Sequence, residues 1–284
     1  MHLVTLSLDG ATGAALVVAD GRARVFGTAA APTFADVGAI ITSGALGTAG
    51  ALAAQAGDEI DFTDADLLAP VLHPGAVFCV GLNYRTHILE MGRDLPAAPT
   101  IFDKLPRALT SPYADLVIPK VASSQLDYEG ELCVVIGTGG RDLAVADATA
   151  AVAGYSVIND VSMRDYQNRS LQWLAGKSWQ GATPWGPALV TPDELGDFGQ
   201  QPLRVTVNGE VRQAAEVGDL VFGVAQLIAD LSTIMELMPG DLIATGTPGG
   251  VGHAMDPKGY LADGDVVEVS IGGIGTLRNT IRIS

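Results

Sequence analysis

The chain of 284 residues carries 32 acidic against 16 basic side chains, a net charge of −16, and 48% hydrophobic residues. That length and apolar fraction suffice for one large domain or a large domain with a small companion, while the charge disfavours capture of nucleic acid or of an anionic membrane surface. An anionic substrate would therefore need a locally positive site.

The N-terminus, Met1-His2-Leu3-Val4-Thr5-Leu6, has no basic start and no small-residue cleavage pattern, so a signal peptide is not expected. No stretch approaches the roughly 20 apolar residues of a membrane span, and a cytoplasmic protein is the expectation. Cys79 and Cys133 lie in apolar runs without zinc-type spacing and read as buried reduced thiols. Residues 1–70 alternate short β-like runs (Val4 to Leu8, Ala14 to Val18, Ala23 to Phe26) with glycine turns, then an alanine-rich helical stretch from Ile40 to Ala56. This predicts a small N-terminal domain. Pro70, Pro74 and Gly75 break the pattern and place the boundary near residue 70, with 71–284 as the larger domain.

The larger domain reads as strand-rich. β-like segments recur at Ala76 to Val80, Leu116 to Ile118, Glu131 to Ile136, Tyr155 to Ile158, Leu203 to Val207, Asp241 to Ala244, Val266 to Ile271 and Leu277 to Ile283. Helices are predicted at Thr86 to Met91, Val145 to Ala153 and Val224 to Ser232, giving an α+β class with mixed connections.

The chemistry concentrates in Leu126-Asp127-Tyr128-Glu129-Gly130-Glu131-Leu132, which runs into the apolar strand Cys133-Val134-Val135-Ile136. In a strand, residues two apart share a face, so Glu129 and Glu131 project side by side. Two like charges held that close need something positive between them: a divalent cation, or a Lys or Arg brought in by the fold. Asp160 closes the run Tyr155-Ser156-Val157-Ile158-Asn159 and would complete an all-oxygen set suited to Mg²⁺ or Mn²⁺. Taken alone, Asp160 is better read as a turn cap or a partner of a base. His87 and Glu90 are three apart on a predicted helix and share a face, where a carboxylate can orient an imidazole as a base. Val134 to Gly140 imitates a dinucleotide-binding turn, but Asp142 stands at the third glycine position and no helix start follows directly. The loop Thr245 to Gly252 lacks the Lys-Ser/Thr of a phosphate cradle.

Five segments in order resemble the fumarylacetoacetate hydrolase superfamily, in its acylpyruvase-like bacterial branch. They are Val80-Gly81-Leu82-Asn83-Tyr84 with His87 and Glu90, Leu126 to Leu132, Asn159-Asp160-Val161-Ser162 with Arg164 and Gln167, Gly176-Lys177-Ser178, and Thr245-Gly246-Thr247-Pro248 with Gly250-Val251-Gly252. The resemblance implies a mixed β-roll catalytic domain, usually a homodimer, with Mg²⁺ or Mn²⁺ held at Glu129, Glu131 and Asp160. It further implies Lys177 beside the substrate, Arg164, Gln167, Thr247 and Tyr84 as substrate contacts, and His87 with Glu90 as a water-activating dyad. The implied reaction is hydrolysis of a carbon-carbon bond in an acylpyruvate or fumarylpyruvate-type 2-oxo acid, in catabolism of aromatic or related compounds. Oxaloacetate decarboxylation and isomerisation of a hydroxydienedioate use the same kind of site and stand as alternatives, as does a non-catalytic metal-binding homologue. Trp179 to Thr183 after Lys177, and Leu105 between Lys104 and Pro106, depart from the family pattern and leave the substrate open.

Overall fold

The computed structural model describes the whole chain except Ala56, Met91, Arg93 and Ser123, and of His87 and Glu90 it describes the backbone alone. Among the described residues two large sheets face each other. The first, of twelve strands, has at its centre Gly130–Ile136, flanked by Val152–Asn159 on one side and Leu242–Ala244 on the other. Beyond Leu242–Ala244 come Val77–Gly81, in parallel register, and Thr100–Asp103. The second sheet has five strands, with Gly275–Ile283, Val266–Ile271 and Pro202–Val207 inside and Leu116–Ile118 and Glu210–Glu216 at its edges. The α+β, strand-rich expectation holds.

Strand Gly130–Ile136 is buried along its whole length, which is why residues 132–136 form a continuous apolar run rather than an alternating one. Its two faces feed different cores. Leu132, Val134 and Ile136 pack with Val205, Val269 and Leu277 of the second sheet. Cys133 and Val135 pack on the opposite side with Ile40, Ile41, Val77 and Trp185. Both cysteines are buried free thiols. Residues before 70 supply part of that second core, and His2–Leu8 pairs directly with strand Thr183–Val190, matching Leu3 to Leu189.

Two local expectations change. The helix predicted from Val145 to Ala153 ends at Ala148, passes through one tight turn and becomes strand at Val152. The Ala151 carbonyl is taken by the N–H groups of Gly137 and Thr138, so cross-strand bonding overrides the helical preference of the alanines. Strand Thr183–Val190 carries no sequence signal because Pro184 and Pro187 interrupt it. The pairing with Val152–Asn159 shifts register between Tyr155 and Val157, opposite Pro187, and an irregularity of that kind is where a sheet tolerates proline. The helix Val224–Ile234 forms as expected, burying Val224, Leu227, Ile228 and Leu231 on one stripe. No helix among the described residues is long and apolar enough to cross a membrane.

Candidate active site

Glu129 and Glu131 flank Gly130, whose missing side chain is a packing requirement. A Cβ there would lie 2.4 Å from Val205 Cγ2 and 2.9 Å from Val269 Cγ1, so glycine lets the second sheet close over one face while both glutamates leave from the other. Gly130 stands opposite Asn159 in the antiparallel pair. The Asn159 side-chain oxygen accepts from the Glu129 N–H at 2.9 Å, and the Asp160 N–H donates to the Glu129 carbonyl at 2.8 Å. Strand register therefore delivers Asp160 to the glutamates. One oxygen from each of Glu129, Glu131 and Asp160 lies within 4.8 Å of the others, and all three residues are buried.

Three cations converge on this cluster. Lys177, at the end of the short helix Leu174–Lys177, donates to Glu129 Oε2 at 2.8 Å and to Asp160 Oδ2 at 2.7 Å. Lys104 donates to Asp160 Oδ1 at 2.5 Å and to the Val161 carbonyl at 3.1 Å. Arg164 lies 2.6 Å from Glu129 Oε1 and 2.8 Å from Asp127 Oδ2, and it donates to Gln167 Oε1 at 3.0 Å. Asp127 also accepts the backbone N–H groups of Gly252 and His253, which ties the glycine-rich loop to the same network.

The neutralisation is uneven. Burial opposes the charged form of Asp160, but Lys104 and Lys177 outweigh it and hold its carboxyl below the usual range. Lys177 and Arg164 are likewise held protonated: burial works against their charge, and the carboxylates around them prevail. Glu131 meets no cation among the described residues. Its one hydrogen bond there comes from the Gly246 N–H at 2.8 Å. Burial, with Asp160 and Glu129 close by, pushes its carboxyl well above the usual range. Gly246 makes that bond with φ +104°, where a Cβ would lie 2.9 Å from both Asn83 Cβ and the Val80 carbonyl oxygen.

A hard divalent cation fits this donor set. The candidate ligands are all carboxylate oxygens, each oxygen engaged by a base keeps a further lone pair, and Glu131 is a buried carboxyl with no ion-pair partner among the described residues, which a cation would stabilise in its charged form.

Glu129, Glu131, Lys177, Arg164, Gln167 and Thr247 line one cleft of about 340 Å³. Thr247 donates to the Gly130 carbonyl at 3.0 Å and accepts from Gln213 at 2.8 Å. Tyr84 is buried and lines a separate cavity beside Pro248 and Gly250. His87 and Glu90 belong to the helix Arg85–Glu90, but their side chains lie outside the described residues. Sequence reasoning gave no role to Lys104, Asp127 or His253. Lys104 drew notice as a departure from a family pattern, yet nothing local reveals that its ammonium reaches Asp160. His253 also lines the cleft, from a loop where only glycines draw the eye.

A strand-rich α+β fold with a buried carboxylate cluster opening on a cleft defines a class of enzymes. The chain belongs to the fumarylacetoacetate hydrolase family, matching the family description "Fumarylacetoacetate (FAA) hydrolase C-terminal" over residues 76–282. Oxaloacetate tautomerase YisK of Bacillus subtilis is 41% identical over 223 residues, covering 77% of this chain and 74% of that protein. The solved structure of a fumarylacetoacetate hydrolase (EaFAH) from psychrophilic Exiguobacterium antarcticum is 36% identical, with a TM-score of 0.87 and each chain covered in full. A 5-carboxymethyl-2-hydroxymuconate delta-isomerase from Mycobacterium smegmatis is 31% identical, with a TM-score of 0.79 over 100% of this chain and 99% of its own. Tautomerase and isomerase relatives favour the isomerising alternative over the hydrolytic reading drawn first from the sequence.

Proposed function

We propose that the protein is a divalent-metal-dependent tautomerase or isomerase of a 2-oxo dicarboxylic acid, with oxaloacetate as the leading substrate. The observation that carries this reading is the uneven cluster: three buried carboxylates converge, and Glu131 alone meets no cation among the described residues. The similarity to an oxaloacetate tautomerase supports the choice of substrate class. A Mg²⁺ or Mn²⁺ ion held by Glu129, Glu131 and Asp160 would supply a Lewis acid that polarises the keto and carboxylate oxygens of a 2-oxo acid. Lys177 adds fixed positive charge where the substrate's oxygen becomes negative. Arg164 and Gln167 bind and orient the substrate's polar ends, with Thr247 in the same cleft lining. Lys104, Lys177 and Arg164 offset the carboxylates around them, so a bound divalent cation would supply the surplus positive charge with which a chain of net charge −16 admits a dianion.

Carbon-carbon bond hydrolysis is the second reading, favoured by the likeness to EaFAH. One experiment separates the two. Loss of the enol absorbance of oxaloacetate, with Mg²⁺ or Mn²⁺ and with EDTA, is followed beside carboxylic acid release from acylpyruvates. Metal-dependent ketonisation without acylpyruvate cleavage is expected. Ketonisation at the uncatalysed rate, or turnover indifferent to EDTA, would overturn the proposal.

A further inference from the structure

His253 has one ring nitrogen held by a neighbouring side chain and lines the cleft on which the carboxylate cluster opens. It sits in the turn Gly252–Ala254 and lines the same cleft as Glu131 and Lys177. Its backbone N–H donates to Asp127 Oδ2 at 2.9 Å, the oxygen that also receives Arg164. Its Nδ1 lies 2.8 Å from Tyr260 Oη, and that hydroxyl lies 3.4 Å from Gln125 Oε1. The loop carrying both rings is closed tightly. The Gly259 N–H donates to the Gly252 carbonyl at 2.9 Å, and a Cβ on Gly252 would lie 2.3 Å from the Gly259 oxygen.

With Nδ1 engaged by Tyr260, Nε2 is the ring nitrogen without a partner among the described residues. An imidazole held through one nitrogen, with the other unpartnered among the described residues, on a residue that lines the cleft, is the arrangement of a proton-transfer group. The charged and titratable groups around it are Arg164 and Lys258, both cationic, with Asp127 and Tyr260. Burial first, then Arg164 and Lys258, lower its affinity for a proton against the opposing pull of Asp127, which favours the neutral ring that a proton acceptor requires.

We propose that His253 carries the proton of the tautomerisation, with Tyr260 as the residue that positions its ring. This rests on the tautomerase reading above. In the ketonising direction the enol O–H bond breaks and Nε2 takes the proton. The freed oxygen pair forms the C=O bond, the C=C pair forms a new C3–H bond with the proton returned by the imidazolium, and no net charge or electron is left over.

The test is the pH profile of oxaloacetate ketonisation with Mg²⁺ for the wild type, His253→Gln and Tyr260→Phe. Removing a proton carrier lowers kcat by about 10² to 10⁴. We expect that loss in His253→Gln with KM and calorimetric Mg²⁺ affinity nearly unchanged, and with the acid limb of the wild-type profile gone. Tyr260→Phe keeps the imidazole and should move that limb. A folded His253→Gln protein with unaltered kcat, or one changed in KM alone, overturns the proposal, as does an unmoved limb in Tyr260→Phe even where the His253 variant does not fold. Wild-type protein without turnover would instead overturn the tautomerase reading, and the proposal with it.

Discussion

Glu129 and Glu131 are separated by one residue, leave the same face of the same chain segment, and live in opposite electrostatic conditions. Both Glu129 oxygens are taken by cations, Arg164 at 2.6 Å and Lys177 at 2.8 Å, while Glu131 has a single backbone N–H at 2.8 Å among the described residues. One half of the cluster is neutralised by the fold itself. The other half is a buried carboxyl that no cation among the described residues contacts, so its charged form is costly unless a ligand supplies the missing positive charge. Stability and activity should therefore part company across the site: residues serving the Glu129 half hold the fold together, and Glu131 serves the ligand.

Lys177 bears most on that division, because it bridges Glu129 and Asp160, and losing it would leave each with a single cation, Arg164 and Lys104 respectively. Lys177→Ala should cost about 3 to 5 kcal/mol of stability in urea unfolding and lower kcat by about 10² to 10³. A variant as stable as the wild type would erase the distinction between the halves. Lys104→Met touches only Asp160 and its neighbour's carbonyl, and metal affinity should fall about 10- to 100-fold by calorimetry, as for the loss of an outer partner of a ligand. Gly130→Ala probes the packing that sets both glutamates on one face. Its Cβ would press on Val205 and Val269 and should cost about 1 to 3 kcal/mol, read as a lower urea midpoint. Arg22→Ala, which removes an exposed partner of Glu59 far along the first sheet, should change stability by less than about 1 kcal/mol and leave turnover intact.

What could be read in the sequence follows the range of the interactions concerned. The strands Leu116–Ile118 and Val266–Ile271 have the bounds their apolar runs suggest, and the period of two in Glu129-Gly130-Glu131 put both carboxylates on one face. Thr183–Val190 was illegible because two prolines mask a strand that only its neighbours on both sides stabilise. The helix from Val145 was overextended because a cross-strand bond from Gly137, invisible locally, claims Ala151. The cations of the site illustrate the same limit. Lys104 meets Asp160 across 56 positions of sequence, and no spacing rule links them. The uneven treatment of the two glutamates was equally out of reach, since it depends on where Lys177 and Arg164 arrive.

The most direct measurement is a calorimetric titration of Mg²⁺ or Mn²⁺ into metal-free wild-type protein and into Glu131→Gln, with urea unfolding of both run beside it. The cation should bind the wild type at one site and fail to bind the variant, while the metal-free variant is as stable as the wild type or more so. Equal metal affinity in the two proteins, or a variant that is markedly destabilised without metal, would contradict the account of Glu131 as the carboxylate held open for a cation.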